Sequence, residues 1–460
     1  MTAAERDGAS GEPDAADSPR DPRPVHRQIL SLAVPALGAL VAEPLFLLAD
    51  TAIIGRLGTE PLAGAALGIT VMQTVVGLMI FLAYSTTPAV ARFLGAGRLA
   101  KALAAGRDGV WLALLLGMVL ALAGAAFGPE LLRAMGAEGA VHEYAWAYLL
   151  WSLPGLPAML LVFAAVGTLR GLQDTKTPLV VAAVGFTGNA VLNLSLVHPL
   201  DLGVAGAALG TSIAQWGMAV AYLVMLAPRL RARGVALAPD PMGLRSSFAV
   251  GGWMFLRTLA LRAAIFATVL VATDLGPEVL AAHQVAFVVF STMAFALDAL
   301  AIAAQALIGR EMGGARKEEA RRMTRLMILW SLGFGMVTGT LVAAAAPWAP
   351  ALFTPDEQVA AGITAALLVL AAAQPLAGFV FILDGVLMGA GDVPYLALAG
   401  LVNLGIYLPA LWWAAQQGRT GTTAILWLWL AFAVVFMGGR ALTLGLRIRT
   451  ETWMRLGETR

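Results

Sequence analysis

The feature that most constrains this chain is a series of apolar runs, each about 20 residues or more, separated by charge clusters or Gly/Pro turns. Hydrocarbon offers no partner to a backbone N–H or C=O, so a run of that length has to close its own hydrogen bonds as a helix. Twelve such runs cover approximately residues 28–55, 61–92, 107–127, 140–168, 178–198, 203–226, 245–273, 278–308, 322–345, 358–386, 394–416 and 421–446. With 59% of 460 residues hydrophobic and only 13% charged, no soluble domain accounts for the composition. The expected fold is an all-α polytopic membrane protein with twelve transmembrane helices in a lipid bilayer.

Lys and Arg set the orientation. The loops that follow even-numbered helices hold Arg92, Arg98, Lys101 and Arg107, then Arg170 and Lys176, then Arg229, Arg231, Arg233 and Arg245, then Arg310, Arg316, Lys317, Arg321, Arg322 and Arg325. The opposite loops hold little beyond Arg56, Arg133 and Arg419. The positive-inside rule then places both termini in the cytoplasm, across a bacterial-type plasma membrane. Basic residues sorted by membrane side, with a net charge of +2, leave no patch for nucleic acid. Zero cysteines exclude disulfides and thiolate chemistry, and four histidines leave little for a metal site. No P-loop and no nucleophile-plus-base pattern is present, so neither an enzyme nor direct ATP drive is expected.

The two halves of the chain repeat. A shift of 218 residues pairs Gly58 with Gly276, Glu60 with Glu278, Leu62 with Leu280, Gly95 with Gly313 and Arg98 with Arg316. It continues through Pro129 and Pro347, Pro157 and Pro375, Gly171 and Gly389, and Asp174 and Asp392. A constant offset through turn residues argues for two six-helix lobes made by duplication. Because each lobe holds an even number of helices, their pseudo-two-fold axis runs along the membrane normal, with a cavity between them. The expected divisions are a disordered cytoplasmic tail at 1–27, an N-terminal lobe at 28–227, a linker at 228–244, a C-terminal lobe at 245–448 and a tail at 449–460.

Residues 42–58 (AEPLFLLADTAIIGRLG) place Glu43 and Asp50 inside the first span. A carboxylate near the bilayer centre costs roughly 2.5 to 3.5 kcal/mol, so it normally faces protein or a watery cavity. Seven positions apart, the two acids lie on nearly the same helix face. Pro44 removes a backbone donor beside Glu43. In the fifth span Asn189 and Asn193 stand at i and i+4, where their amides can reach Asp50, offer oxygens to a cation, or simply tie helices together. The second half places Thr268 where Asp50 stands in the first. Its own charged residues are Arg257 and Arg262 in the seventh span, Asp298 in the eighth and Asp384 in the tenth, for which mutual ion pairing is the favoured reading over gating or substrate contact. His283 in the eighth span is a candidate for titration near neutral pH, or a hydrogen-bonded packing residue.

Twelve helices in two parallel repeats, together with DTAIIGRLG at residues 50–58, RGLQDTKTP at 170–178, ALDALA at 296–301 and LDGVLMGAGD at 383–392, make the chain resemble the multidrug and toxic compound extrusion (MATE) family, in its DNA-damage-inducible branch. The likeness runs from about residue 28 to 448. It implies secondary active export of amphipathic, often cationic, organic compounds against an inward flow of protons or sodium, by rocking of the lobes, with no cofactor and no obligate protein partner. The first-helix acid of the branch falls on Asp50 and its paired fifth-helix positions on Asn189 and Asn193. Some relatives carry an acid where this chain has Asn193, a departure that counts against a two-carboxylate site and leaves Asp50, Asn189 and Asn193 as the positions where sodium would bind. A lone carboxylate withdrawn from water is suited to taking up and releasing a proton, so proton coupling is preferred. Three rivals remain, the first two being a lipid-linked precursor or polysaccharide flippase, for whose cationic cavity only Arg257 and Arg262 qualify, and a membrane-embedded lipid-modifying enzyme. A channel is the third, disfavoured by the duplicated lobes.

Overall fold

The structure, a computed structural model, describes residues 23–417 and 421–457. Among them twelve helices are long and apolar enough to cross a membrane. In chain order these are α1 (Val25–Gly55), α2 (Thr59–Gly95), α3 (Leu99–Ala134), α4 (Gly139–Gly171), α5 (Lys176–Val197) and α6 (Gly203–Arg231). The second six are α7 (Pro241–Asp274), α8 (Pro277–Gly313), α9 (Lys317–Ala345), α10 (Glu357–Gly389), α11 (Val393–Gln417) and α12 (Gly421–Arg449). Most of the expected tail 1–27, and Arg419, lie outside the described residues.

Several helices outrun the apolar stretch that announces them. α3 continues past both ends of 107–127 because Ala102, Leu103, Gly106 and Leu132 keep burying one face while Lys101 and Arg133 stay in water. α6 runs on to Arg231, and α7 starts at Pro241, where the Asp240 carboxylate accepts from the N–H groups of Met242 and Gly243. The non-helical link between the lobes is therefore 232–240, shorter than the 228–244 expected from composition.

The duplication is written into the backbone. Gly58 and Gly276 open α2 and α8 with φ of 118° and 111°, and Gly203 and Gly421 share φ of 54° and 58°. The same offset relates Gly97 (φ 74°) to Ala315 (φ 56°) and Gln173 (φ 66°) to Gly391 (φ 75°). At these last two turns the left-handed conformation persists in the copy that has lost its glycine, so the turn geometry outlasts the residue that accommodates it most cheaply. Helix pairing repeats as well: α1 packs on α5, and α4 on α2 and α3, as α7 packs on α11, and α10 on α8 and α9.

Between the lobes, α8 packs against both α2 and α1. At the end of the bundle that carries both described termini, Gly95 lies on the Arg310 carbonyl and Gly313 on the Arg92 carbonyl, a reciprocal contact that a Cβ on either glycine would overlap. Arg92, 2% exposed, secures this seam by donating to the carbonyls of Ala390 (2.5 Å), Arg455 (2.5 Å) and Gly457 (2.8 Å). The Gly457 N–H in turn donates to the Met312 carbonyl at 3.0 Å. The sequence places Arg92 among loop cations; in the structure it is a buried fastener between the lobes.

Candidate functional site

Where α1, α2, α4, α5 and α6 converge, the N-terminal lobe lines a partly open cavity with about 1440 Å³ of empty space, its mouth included. Its walls are largely apolar, with Phe46, Met72, Phe163 and Met218 among them. Ile69 on α2 and Thr211 and Gln215 on α6 face the cavity, and none of the three carries a ring that would fill it.

Asp50 stands on one wall, 3% exposed. Its carboxylate accepts a hydrogen bond from Asn193 Nδ2 at 2.6 Å, and Tyr148 Oη lies at 3.5 Å. A bond of this kind to a charged acceptor contributes about 1.5–3 kcal/mol. Asn193 is fully buried, and its Oδ1 has no hydrogen-bond partner and lies against Gly210. The amide thus presents its donor, not its oxygen, to Asp50. Asn189, one turn away, donates instead to Thr211 Oγ1 at 3.3 Å, so of the two asparagines one holds the acid and the other ties α5 to α6. Of Glu43 only the position within α1 is described; its side chain lies outside the described residues.

The C-terminal charges divide differently from the four-member pairing that the sequence suggests. Arg257 donates to Asp384 Oδ2 at 2.8 Å, and Arg440 of α12 binds the same oxygen. Asp298 accepts from Tyr84 Oη of the other lobe at 2.5 Å. Arg262 takes no part: it is exposed, with its guanidinium beside Gly77 of α2. The reason is helical phase, since Arg257 and Arg262 are five residues apart and point about 140° away from each other. His283 is 2% exposed with neither ring nitrogen hydrogen-bonded, its ring tilted against those of Phe287 and Trp429.

His283, with Phe287 and Trp429, lines the counterpart of the cavity in the second lobe, a gap of about 250 Å³. By the 218-residue offset Ile265, Thr268, Phe287 and Trp429 of that gap correspond to Leu47, Asp50, Ile69 and Thr211 of the N-terminal cavity. Where α1 and α5 are joined by Asp50 and Asn193, α7 and α11 are joined by Thr268 Oγ1 and Tyr407 Oη at 2.7 Å. Ala39, Ile80 and Val166, which line the cavity, correspond to Arg257, Asp298 and Asp384.

Four residues of this arrangement escaped the sequence reading as site residues. Tyr148 and Tyr84 carry no signal, since aromatic residues in spans are ordinary. Arg440 carries the signal used for Arg257, a cation inside an apolar run. Arg170 was grouped with the loop cations, but α4 continues through it and it lines the cavity at 8% exposure. Among the described residues no group of three or more His, Cys, Asp or Glu side chains is placed to hold a metal.

The MatE family model matches residues 35–195 and again 254–413, two segments whose starts stand 219 and whose ends stand 218 residues apart. Protein DETOXIFICATION 45, chloroplastic, of Arabidopsis thaliana is 28% identical over 91% of this chain and 77% of its own length. DNA damage-inducible protein F of Escherichia coli is 31% identical over 65% of each chain. The Vibrio cholerae MATE transporter VcmN in its bent form superposes with a TM-score of 0.83 at 20% identity, covering 94% of this chain and 98% of that one. Matched twice over most of its length, in the order and spacing of its own two lobes, this multi-pass membrane chain belongs to the MatE family of transporters.

Proposed function

We propose that this chain is a secondary active exporter of amphipathic, often cationic, organic compounds, exchanging them for protons by alternating access. The observation that carries the reading is Asp50, a buried carboxylate on the wall of a large apolar cavity, held by a single amide donor. A proton arriving on Asp50 removes the charge that makes the Asn193 bond strong. α1 and α5 then lose their polar tie and can repack around the cavity, expelling its content. Exchange requires that proton and substrate favour different states, so that each drives the other. The seam at Gly95 and Gly313 closes one end of the bundle, and its opening would give the opposite state.

The positive-inside distribution supports placing that closed end, with both termini, in the cytoplasm of a bacterial-type plasma membrane. One chain contains the whole cavity, so a monomer suffices. Sodium is the second coupling ion to consider, but the Asn193 oxygen faces Gly210 rather than Asp50, and a cation there would need that amide turned. A flippase for lipid-linked precursors is the rival function.

The deciding measurement is efflux of a fluorescent cationic dye from proteoliposomes, with proton and sodium gradients imposed separately, for the wild type and Asp50→Asn. Proton-driven efflux that vanishes in the variant supports the proposal. Full activity in Asp50→Asn, or no efflux under either gradient, overturns it and brings the flippase forward.

A further inference from the structure

We infer that the cavity contains a subsite for an anionic headgroup, formed by Arg170 and Tyr222, and that its preferred ligand is an amphipathic organic carboxylate. The inference rests on the exporter reading for how such a compound would be moved, and deepens it by naming the substrate class.

Arg170 lies in the last turn of α4 and Tyr222 on α6, and both line the cavity. They are 8% and 1% exposed. Among the described residues neither side chain has a hydrogen-bond or ion-pair partner; Arg170 has Tyr84, Asp298 and Tyr222 within Coulombic reach only. A guanidinium carries five N–H donors and no acceptor, and a phenol adds one O–H. Two buried donor groups that converge on one apolar cavity, both unused, are complementary to an oxyanion.

The local ion pairing points the same way. Three guanidiniums, Arg170, Arg257 and Arg440, are within electrostatic range of Asp298 and Asp384, and Asp174 is within range of Tyr222. Asp384 is shared by Arg257 and Arg440, and Asp298 is taken by Tyr84. Arg170 is left without a direct ion-pair contact, with Asp298 acting on it only at a distance, and it faces the cavity. A buried guanidinium whose N–H groups meet no acceptor is costly, and a ligand carboxylate supplies the missing contact.

Packing does not explain Arg170. The offset pairs it with Met388 in α10, where a thioether fills the equivalent place at 3% exposure. The helix position therefore accepts an uncharged side chain of similar length. Asp50 lies far from this end of the cavity. Thr175, in the loop that follows α4, has its hydroxyl within 3.4 Å of the Ser31 carbonyl. Asp50 is nineteen residues beyond Ser31 along α1, on the order of 28 Å from that level at 1.5 Å per residue. Proton site and anion subsite are thus formed by different residues of one cavity.

The test uses a matched pair of dyes that differ only at the headgroup: rhodamine 110, a free carboxylic acid, and rhodamine 123, its methyl ester. Each is titrated against the purified full chain by fluorescence anisotropy, and the readout is the ratio of the two Kd values. The wild type should bind the acid about tenfold more tightly than the ester or better, as a buried charge-assisted contact warrants. Arg170→Gln should bring the ratio to about one, Arg170→Lys should keep most of it, and Tyr222→Phe should lower it partway. An acid-to-ester ratio near one in the wild type overturns the subsite whatever the variants do. So does Arg170→Gln weakening both dyes alike, the result expected if Arg170 only balances Asp298. Should Arg170→Gln fail to fold, the wild-type ratio together with Tyr222→Phe still decides. Selective binding of the acid without proton-driven efflux would keep the subsite and remove the exporter; efflux of both dyes without discrimination would do the reverse.

Discussion

The N-terminal and C-terminal lobes share their helix order, their left-handed turns and their packing partners, yet one lines an open cavity with about 1440 Å³ of empty space, mouth included, and the other, counted the same way, a gap of about 250 Å³. The difference is made by side-chain volume and charge at equivalent positions. Ile69, Met72 and Thr211 face the cavity; their counterparts Phe287, Phe290 and Trp429 form a cluster with ring centroids 5.8 to 6.5 Å apart across the His283 side and fill the same region. Ala39 and Val166 become Arg257 and Asp384, a buried ion pair completed by Arg440. Duplication supplies two equal scaffolds; filling one of them concentrates the titratable acid and the open space in the other.

The comparison is broken most easily where one lobe depends on charge and the other does not. Asp384→Ala leaves Arg257 and Arg440 buried without a counter-ion and should destabilise the protein by about 3–5 kcal/mol, as breaking a buried pair does. Val166→Ala, at the equivalent position on the cavity wall, should cost about 1 kcal/mol or less. Thermal unfolding of the two variants in detergent reads both, and equal losses would mean that the ion pair is not what fills the second lobe.

Exchanging a filling residue sharpens the point. Trp429→Thr should open the C-terminal gap and cost roughly 3 kcal/mol in stability. Thr211→Trp should close the N-terminal cavity, and the expected loss is in ligand affinity, about tenfold or more by dye titration, with the larger ring filling empty space. A Thr211→Trp protein that binds as well as wild type would show that the cavity is not where substrate sits.

Where the lobes are alike, their variants should be alike. Gly95→Ala and Gly313→Ala each drive a methyl into the partner helix carbonyl, and each should cost about 1–3 kcal/mol by overpacking. The chain contains no cysteine, so a single introduced pair across α2 and α8 can report seam opening by crosslinking; a large asymmetry between the two variants would argue against reciprocal contact. The smallest effect is expected from Thr268→Val, which removes the hydroxyl tie to Tyr407 for about 1 kcal/mol. Because Thr268 stands where Asp50 does but carries no titratable group, proton-driven efflux should stay within twofold or so of wild type, and abolition of efflux would move coupling into the second lobe.

Much of this was legible in the sequence because the bilayer makes the rules strict. Apolar runs must be helices, a carboxylate such as Asp50 must turn inward, and turn glycines at a fixed offset must mark a repeat. Asn193 was legible as a partner because it stands on the same helix face as Asn189, but only the packing of α5 on α1 decides that Asn193 reaches the acid and Asn189 turns to Thr211. Of Arg257, Arg262, Asp298 and Asp384, the structure joins Arg257 to Asp384 and gives Asp298 to Tyr84, a division that composition cannot foresee because it does not fix the phase of one helix against another.

By itself the sequence determined twelve spans, two copies, the inward orientation of Asp50 and the absence of thiol chemistry, all of which follow from local backbone satisfaction and residue type. Tertiary structure decided the rest: that Asp50 meets a side chain 143 residues away, that Asp298 meets Tyr84 across 214 residues, and that Arg92 and Arg170 leave the loops for the interior. The physical reason is that burial and desolvation belong to the space between helices, and that space exists only once the helices have packed.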